Sequence, residues 1–230
     1  MGDPGGLVTP RTAAAHAFVT SLTDPVLEPD DRHHLERVLR LRPGASITVS
    51  DGRGRWLPMT LGADLSPLGD PVAEAAPTPA ITIAFAVVKG DRPELIARGL
   101  TEIGVDRIVP LGTARGVVRW EGDHGRAAVE RLRRVVRSAG MQCRRVWLPE
   151  VTEVVAFGDA AAGAGVALAV PGGDEPSLDH ATVLVGPEGG WAPVELDVGL
   201  PRVDLGPHIL RTETAALVAG ARLVALRPSA

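Results

Sequence analysis

Apolar and polar positions alternate in the first third of the chain. The stretch ASITVSDGRGRWLPMTL, residues 45–61, alternates on either side of an Asp-Gly-Arg-Gly turn, and this predicts a β-hairpin. Just before it, residues 30–44 carry apolar side chains at near-helical spacing, an Asp at the start and Pro-Gly at the end. That spacing predicts a short helix ahead of the hairpin, so the first third is mostly β.

The pattern changes after SPLGDPVAEAAPTPA, residues 66–80, which contains four prolines, lacks periodicity and is the best linker candidate. Beyond it, unalternating apolar runs are separated by stretches of helical periodicity. The predicted strands are residues 81–89, 107–111, 165–173, 181–190 and 203–206, and the predicted helices are 92–105, 125–143 and 212–226. Apolar strands separated by helices predict an α/β domain with a parallel sheet covered on both faces.

The last predicted helix, residues 212–226, has almost no polar face. A helix that is apolar all round is buried on every side. It therefore lies at the centre of its domain or is covered by a second subunit, and small residues at 215, 216, 219 and 220 permit close helix approach. We expect a homodimer.

Composition limits the class of protein. The chain has 230 residues and a net charge of -4, and Cys143 is its only cysteine, which excludes a disulfide framework within one chain and favours a buried inert thiol. Neither a membrane span nor a signal peptide is visible, so we expect a soluble cytoplasmic protein.

Charge is unevenly distributed along the chain. Residues 92–145 contain twelve Arg and six acids, whereas residues 146–204 contain ten acids and Arg202. This segregation allows a basic surface that contacts phosphates. The alternative is that these arginines only form the solvated face of an amphipathic helix.

Two glycine-rich breaks follow predicted strands, VPGG at 170–173 and VGPEGG at 185–190. Ligands bind at the carboxyl ends of parallel strands, where Gly lets backbone groups approach them closely. Neither break matches a phosphate-binding fingerprint, and Glu188 would repel an anion, so a neutral or cationic ligand is favoured over a nucleotide. The alternative for the second break is a tight turn into the next helix.

Polar residues begin the last helix in the segment LGPHILRTETAAL. Thr212 or Thr214 is suited to cap the helix, and this alone explains the Thr-Glu-Thr sequence without any catalytic role. The six histidines show no ligand-like spacing with acids or cysteine, so no metal is expected.

Five collinear segments resemble one known family. VGPEGGWAPVEL and LGPHILRTETAALVAGARL, about 20 residues apart, resemble the signature of SPOUT-class RNA methyltransferases, specifically the ribosomal RNA small subunit methyltransferase E family. RSAGMQCRRVWLPEV, ELIARGLTEIGVDRIVPL and HHLERVLRLRPGASITVSDGRG are similar to further elements of that family. The resemblance spans nearly the whole chain.

The resemblance implies two domains. Residues 1–76 would form a PUA-like β-barrel that binds RNA, and residues 77–230 a SPOUT methyltransferase domain with a deep trefoil knot, a rare exception to the rule against knotted chains. It also implies a homodimer that uses S-adenosyl-L-methionine to methylate N3 of a uridine near the decoding region of 16S ribosomal RNA in the small subunit.

The resemblance assigns the cofactor to three loops. The expected cofactor-binding residues are Val170, Pro171, Gly172, Val185, Gly186, Pro187, Glu188, Gly189, Gly190, Leu205, Gly206, Ile209, Leu210, Arg211 and Thr214.

The chemistry assigns catalytic candidates. Uracil N3 must lose its proton before or during attack on the sulfonium methyl, so the site needs a proton acceptor and a group that stabilises negative charge on a carbonyl oxygen. Arg211 is the candidate for charge stabilisation, because guanidinium is permanently charged. Glu213 is the first candidate for proton acceptor, followed by Glu188 or water.

N3 lies on the Watson-Crick edge, so the target must be unpaired or flipped out of a helix. The residues expected to contact RNA are His33, Arg37, Arg40, Arg92, Arg133, Arg137, Gln142 and His208.

The chain departs from the family pattern at a few positions. Gly140, Met141 and Cys143 interrupt the usual SAEQS sequence, so that its acid and second Ser are absent, and His208 replaces a common Arg. Two alternatives remain open: a SPOUT methyltransferase for another ribosomal or transfer RNA nucleotide, and a catalytically silent RNA-binding assembly factor.

Overall fold

The computed structural model describes residues 7–228, and these divide into two compact units. The first unit runs up to Ala76 and includes Arg137–Leu148, while the second contains Pro77–Val136 and the chain from Pro149 onward. The segment Arg137–Leu148 thus packs with the first unit. The expected domain boundary after residue 76 would place this segment in the second unit. No helix within residues 7–228 has the length and hydropathy needed to cross a membrane.

The first unit is built on a five-stranded sheet. Its elements are β1 Ala15–Phe18, α1 Pro29–His33, a π-helical turn His34–Val38, β2 Ser46–Ser50, β3 Arg55–Thr60, β4 Ser66–Pro67 and β5 Val72–Ala73. β1 pairs parallel with β2, and β2 pairs antiparallel with β3, which confirms the predicted hairpin. β4 and β5 both pair antiparallel with β3. The linker candidate at residues 66–80 therefore contains two short strands, Ser66–Pro67 and Val72–Ala73, that pair with β3.

Alternation places the core of the first unit on one side of this sheet. Ile47, Val49, Leu57 and Met59 point inward with Leu35 of the π-helical turn, as the period of two in β-strands requires.

The second unit is an α/β domain. Its elements are β6 Thr82–Ala86, α2 Arg92–Ile103, β7 Arg107–Gly112, α3 Gly122–Cys143, β8 Glu150–Val151, β9 Val155–Ala156, α4 Phe157–Ala161, β10 Val166–Asp174, a 3-10 turn Leu178–His180, β11 Thr182–Val185, α5 Pro193–Leu196, β12 Arg202–Val203 and α6 Thr212–Leu226. The part of α3 from Arg137 onward belongs to the first unit. The sheet order is β12-β10-β11-β6-β7-β8, with β9 also paired to β7. These pairs are parallel, as predicted.

Close packing of α2 and α6 covers one face of this sheet. A Cβ added to Gly220 of α6 would lie 2.9 Å from both Leu100 and Val105. The axes can therefore approach only because position 220 lacks a side chain. On the opposite face, Trp191 packs with the apolar side chains of β7, β10 and β11.

Helix α6 has one packed side and one more open side in the single chain. Ala216, Ala219 and Leu223 are buried, whereas Leu217 is half-buried and Leu226 is 49% exposed. The apolar sequence of α6 predicts a helix that is buried on every side. Within one chain, α6 is therefore not buried on every side.

Candidate functional site

A cavity of about 400 Å³ lies at the carboxyl-terminal parts of β10, β11 and β12. The loops after β11 and β12 supply two parts of the wall, and Ala169, Val170 and Pro171 of β10 supply the third. The crevice outside the carboxyl ends of parallel strands is the general place for ligands in open α/β sheets. Backbone groups and apolar side chains provide most of its lining.

The loop after β11 is a tight turn held by its own sequence. The Gly190 N–H donates to the Pro187 carbonyl at 2.8 Å, and Gly190 has a φ of +68°. The Trp191 indole N–H donates to the Ala169 carbonyl at 3.0 Å, and a Cβ on Gly186 would lie 3.0 Å from the indole. Glycine at these positions therefore lets the turn close while the indole joins it to β10.

Asp204 joins the end of β10 to the loop after β12. Its carboxylate accepts hydrogen bonds from the Gly172 N–H at 2.8 Å and from the Gly206 N–H at 2.9 Å. The Gly206 N–H first, and then that of Gly172, hold the pKa of the Asp204 carboxyl below its ordinary value. An ionised carboxylate that accepts backbone N–H groups fixes the end of β10 and the loop after β12 relative to each other.

Arg92, in the first turn of α2, bridges two acidic residues. Its guanidinium donates to the Glu188 carboxylate and lies 3.7 Å from the Glu213 carboxylate. The Glu188 backbone N–H first, and also the Arg92 guanidinium, lower the pKa of the Glu188 carboxyl. One buried oxygen of Glu213 makes no hydrogen bond with the described residues. An acceptor of this kind is suited to receive a proton or a donor group.

Further contacts attach neighbouring segments to the loop after β11. Thr212 donates its hydroxyl to the Gly186 carbonyl at 2.9 Å, and Arg115 donates to the Gly189 carbonyl at 3.1 Å. The buried carboxylate of Glu195 accepts from the N–H groups of Ala114 and Ala192, each at 2.8 Å. The cavity wall is therefore fixed by the segment after β7, by α5 and by α6, as well as by its own turn.

Most residues predicted to bind the cofactor line this one cavity. Twelve of the fifteen do so, and the other three are Gly172, Arg211 and Thr214. Gly172 instead holds Asp204 through its N–H. Arg211 and Thr214 are exposed at the start of α6. The cavity also includes residues that were not predicted to bind a cofactor, namely Ala169, Trp191, Asp204, His208, Thr212 and Ala215.

Three of the arginines predicted to contact RNA have intramolecular partners. Arg137 donates to both oxygens of the buried Asp31, at 2.9 and 2.6 Å, and to the Phe18 carbonyl. Arg133 pairs with Glu130 and Glu153, and Arg92 pairs as described above. Arg137 therefore serves the packing of the first unit, and the structure does not favour its role as a free phosphate ligand.

The other predicted RNA contacts are open to solvent. His33, Arg37, Arg40 and Gln142 are exposed, and His208 is exposed while it also lines the cavity. Among residues 7–228, no group of three or more His, Cys, Asp and Glu side chains could hold a metal ion.

Position 140 explains one departure in the sequence. A Cβ on Gly140 would lie 2.4 Å from the Leu148 side chain and 3.2 Å from the Phe18 ring. A glutamate at this position would need both neighbours to shift. The absence of a side chain at position 140 therefore lets Leu148 and Phe18 pack against this part of α3.

Comparison with protein families gives two matches. Residues 74–224 match the RNA methyltransferase domain, and residues 27–57 match the RNA methyltransferase PUA domain. A curated relative from Mycobacterium bovis, ribosomal RNA small subunit methyltransferase E, is 35% identical over 88% of this chain and 88% of its own length.

Solved structures share the fold. A probable rRNA-methyltransferase from Porphyromonas gingivalis superposes with a TM-score of 0.79 at 27% identity, over 93% of this chain and 98% of that one. Ribosomal RNA small subunit methyltransferase E from Neisseria gonorrhoeae, bound to S-adenosyl methionine, has a TM-score of 0.74 at 26% identity, over 90% of this chain and 95% of that one.

Proposed function

The chain belongs to the ribosomal RNA small subunit methyltransferase E family, and from this premise we propose that it methylates N3 of one uridine in 16S ribosomal RNA with S-adenosylmethionine as methyl donor. The observation that carries the proposal is the cavity at the ends of β10, β11 and β12. Its walls come from the segments that match the RNA methyltransferase domain.

The lining of the cavity fits S-adenosylmethionine. Backbone groups of the turn after β11 are accessible because Gly189 and Gly190 have no side chains, and Leu205 and Ile209 offer apolar contacts. Glu188 contributes a carboxylate whose pKa is lowered, and a negative charge suits a sulfonium cation. When bound, the sulfonium supplies an electrophilic methyl group.

The residues of the chain then have two tasks at the acceptor base. Glu213, with a buried oxygen that makes no hydrogen bond among the described residues, is proposed to accept the N3 proton. Arg211 is proposed to stabilise negative charge on a uracil carbonyl oxygen, because its side chain is exposed at the start of α6 and its guanidinium is permanently charged. Arg92 positions Glu188 and Glu213 and is not assigned a step of its own.

RNA binding is proposed for the first unit. Arg37 and Arg40 are exposed near the end of the π-helical turn and form no ion pair among the described residues, so their charges are available to phosphates.

We assign residues 1–76 to a PUA-like barrel and residues 77–230 to the methyltransferase domain, with a trefoil knot around the cofactor. The open side of α6, including Leu226, is proposed to bury itself against a second copy. The small ribosomal subunit in the cytoplasm is the proposed location of the substrate.

Isothermal titration of the purified protein with S-adenosylmethionine tests the cofactor assignment. Saturable binding supports an active enzyme, and absence of binding at millimolar cofactor supports the catalytically silent RNA-binding factor instead. Tritium transfer from labelled cofactor to small subunits lacking the modification then tests the reaction. Label in another nucleoside would assign a different SPOUT activity.

A further inference from the structure

A second cavity, of about 250 Å³, lies at the same edge of the sheet as the cofactor cavity. Its walls include Lys89, Glu94, Trp120, His124 and Arg131. The volume is slightly below the range that holds drug-sized ligands, which begins at about 300 Å³. A single planar base therefore suits this space better than a larger ligand.

Glu94 gives this cavity its polarity. One of its carboxylate oxygens is buried and makes no hydrogen bond with the described residues. The other lies 3.4 Å from the Arg131 guanidinium. Leaving a buried polar atom without a partner is costly, and such an atom in a native structure calls for an explanation. An N–H donor of a bound ligand would satisfy it.

The remaining walls complement one nucleobase. Trp120 offers an aromatic surface, and unpaired RNA bases stack on aromatic side chains. Lys89 and Arg131 are cationic donors, while Glu94 is an acceptor. Uracil is the RNA base whose Watson-Crick edge places one N–H between two carbonyl oxygens, so it matches one acceptor accompanied by two donors.

Arg92 links one residue in the wall of each cavity. Its Nε donates to the carbonyl of Lys89 at 3.1 Å, and its terminal nitrogen donates to Glu188 of the cofactor cavity. A base in the second cavity thus occupies a space whose lining shares no residue with that of the cofactor cavity. In addition, a uracil whose N3–H donates to Glu94 cannot present N3 to a methyl donor. That base is not the methyl acceptor.

We propose that the cavity formed by Lys89, Glu94, Trp120, His124 and Arg131 binds a second unpaired uracil base of the RNA substrate, held through its N3–H by Glu94 and stacked on Trp120. This inference rests on the proposed function, because it assumes an RNA substrate. It adds a recognition subsite that positions the RNA and discriminates by base identity at a nucleotide other than the acceptor.

Mononucleotide binding to the full chain tests the subsite. The cofactor cavity is first filled with S-adenosylhomocysteine, and tryptophan fluorescence is then followed during titration with uridine 5′-monophosphate or its N3-methyl derivative. We expect the unmethylated nucleotide to bind and quench fluorescence, and the N3-methyl nucleotide to bind about tenfold more weakly or worse, since it lacks the N–H donor to a charged acceptor. The proposal is overturned if the N3-methyl nucleotide binds as tightly as uridine 5′-monophosphate. It is also overturned if adenosine 5′-monophosphate binds as tightly as uridine 5′-monophosphate.

Variants locate the binding to this cavity. Glu94→Gln should weaken uridine monophosphate binding about tenfold, and Trp120→Leu should abolish the quench. The matched control is Glu121→Gln, which removes a carboxylate that is 76% exposed and outside the cavity lining. A variant that still binds S-adenosylhomocysteine is folded. If a variant no longer binds it, the test of the subsite is the comparison of the two uridine nucleotides on the unmodified protein.

The two proposals fail differently. If S-adenosylhomocysteine binds but uridine monophosphate does not, the subsite is overturned while the proposed function stands. If S-adenosylhomocysteine does not bind, the proposed function is overturned, and the nucleotide titrations without it still decide the subsite.

Discussion

Arg92 and Glu188 join the first turn of α2 to the turn after β11, although 96 residues separate them in the chain. The same guanidinium also lies beside Glu213 at the start of α6. One side chain therefore connects three elements around the cofactor cavity. Its role is to position the acidic residues rather than to stabilise the fold, because ion pairs between partly exposed groups contribute only about 0–1 kcal/mol.

Replacing Arg92 tests this positioning. Arg92→Ala should lower S-adenosylmethionine affinity by about fivefold, since Glu188 and its turn lose their attachment to α2, and should change the free energy of unfolding by less than about 1 kcal/mol. Calorimetric titration and urea denaturation measure the two effects. Arg98→Ala is the control, because Arg98 is exposed on the same helix. Unchanged cofactor affinity in Arg92→Ala would show that the bridge does not order the site.

Arg211 separates catalysis from cofactor binding. It is exposed at the start of α6 and does not line the cavity. Arg211→Ala should therefore leave cofactor affinity within about an order of magnitude while methyl transfer falls by about a hundredfold or more, as for loss of a group that stabilises developing charge. Single-turnover transfer to small subunits measures this, with Arg134→Ala as the exposed control. Full activity of Arg211→Ala would remove this residue from the mechanism.

Gly173 allows close approach of β10 and β12 next to the cavity. A Cβ at this position would lie 2.6 Å from the backbone carbonyl carbon of Arg202. Because backbone cannot move aside as a side chain does, Gly173→Ala should destabilise the protein by about 1–3 kcal/mol. Thermal unfolding measures this. The control is Gly158→Ala in α4, where a Cβ meets no atom within 4 Å. Equal melting temperatures for the two variants would contradict this account.

His16 makes the stability of the first unit depend on pH. Burial first, and also the charge of Arg144, lower the pKa of His16 to about 4, although its hydrogen bond to the Arg145 carbonyl opposes this. In the unfolded chain an imidazole titrates near 6.5. As pH falls below about 6.5, only the unfolded state takes up this proton, so stability decreases until the pH reaches about 4. The loss between pH 7 and pH 5 should be about 2 kcal/mol.

Urea midpoints at pH 7 and pH 5 measure the effect of His16. His16→Gln removes the titrating group, so its stability should change less over this interval than that of the unmodified protein. The readout is the difference between the two pH values, because the substitution itself also changes stability. Identical pH trends in the two proteins would show that His16 is not the titrating group.

Sequence patterns located the parallel sheet and the two glycine-rich breaks in the cavity wall, and the family resemblance added the segment after β12. Continuous apolar runs mark the strands, and the Gly-Pro breaks mark the strand ends where loops form the wall. Trp191 and Asp204 were not assigned to the site, although each lies next to a glycine-rich segment at a strand end. Their contribution depends on hydrogen bonds to Ala169 and Gly172, which join segments separated by 22 and 32 residues.

Other features depend on distant contacts that local periodicity does not contain. β4 and β5 are two residues each, too short to show alternation, and they form by pairing with β3. Arg137 has the position of a solvated helix residue in the sequence, but Asp31 accepts two of its hydrogen bonds from 106 residues away. A count of arginines therefore overestimates the charge that is available to RNA.

The most direct test of the central claim is mass mapping of 16S ribosomal RNA from a strain in which the gene is deleted, before and after complementation. We predict that one N3-methyluridine disappears on deletion and returns with the unmodified gene, but not with the Arg211→Ala variant. An N3-methyluridine that persists in the deletion strain would contradict the proposed function.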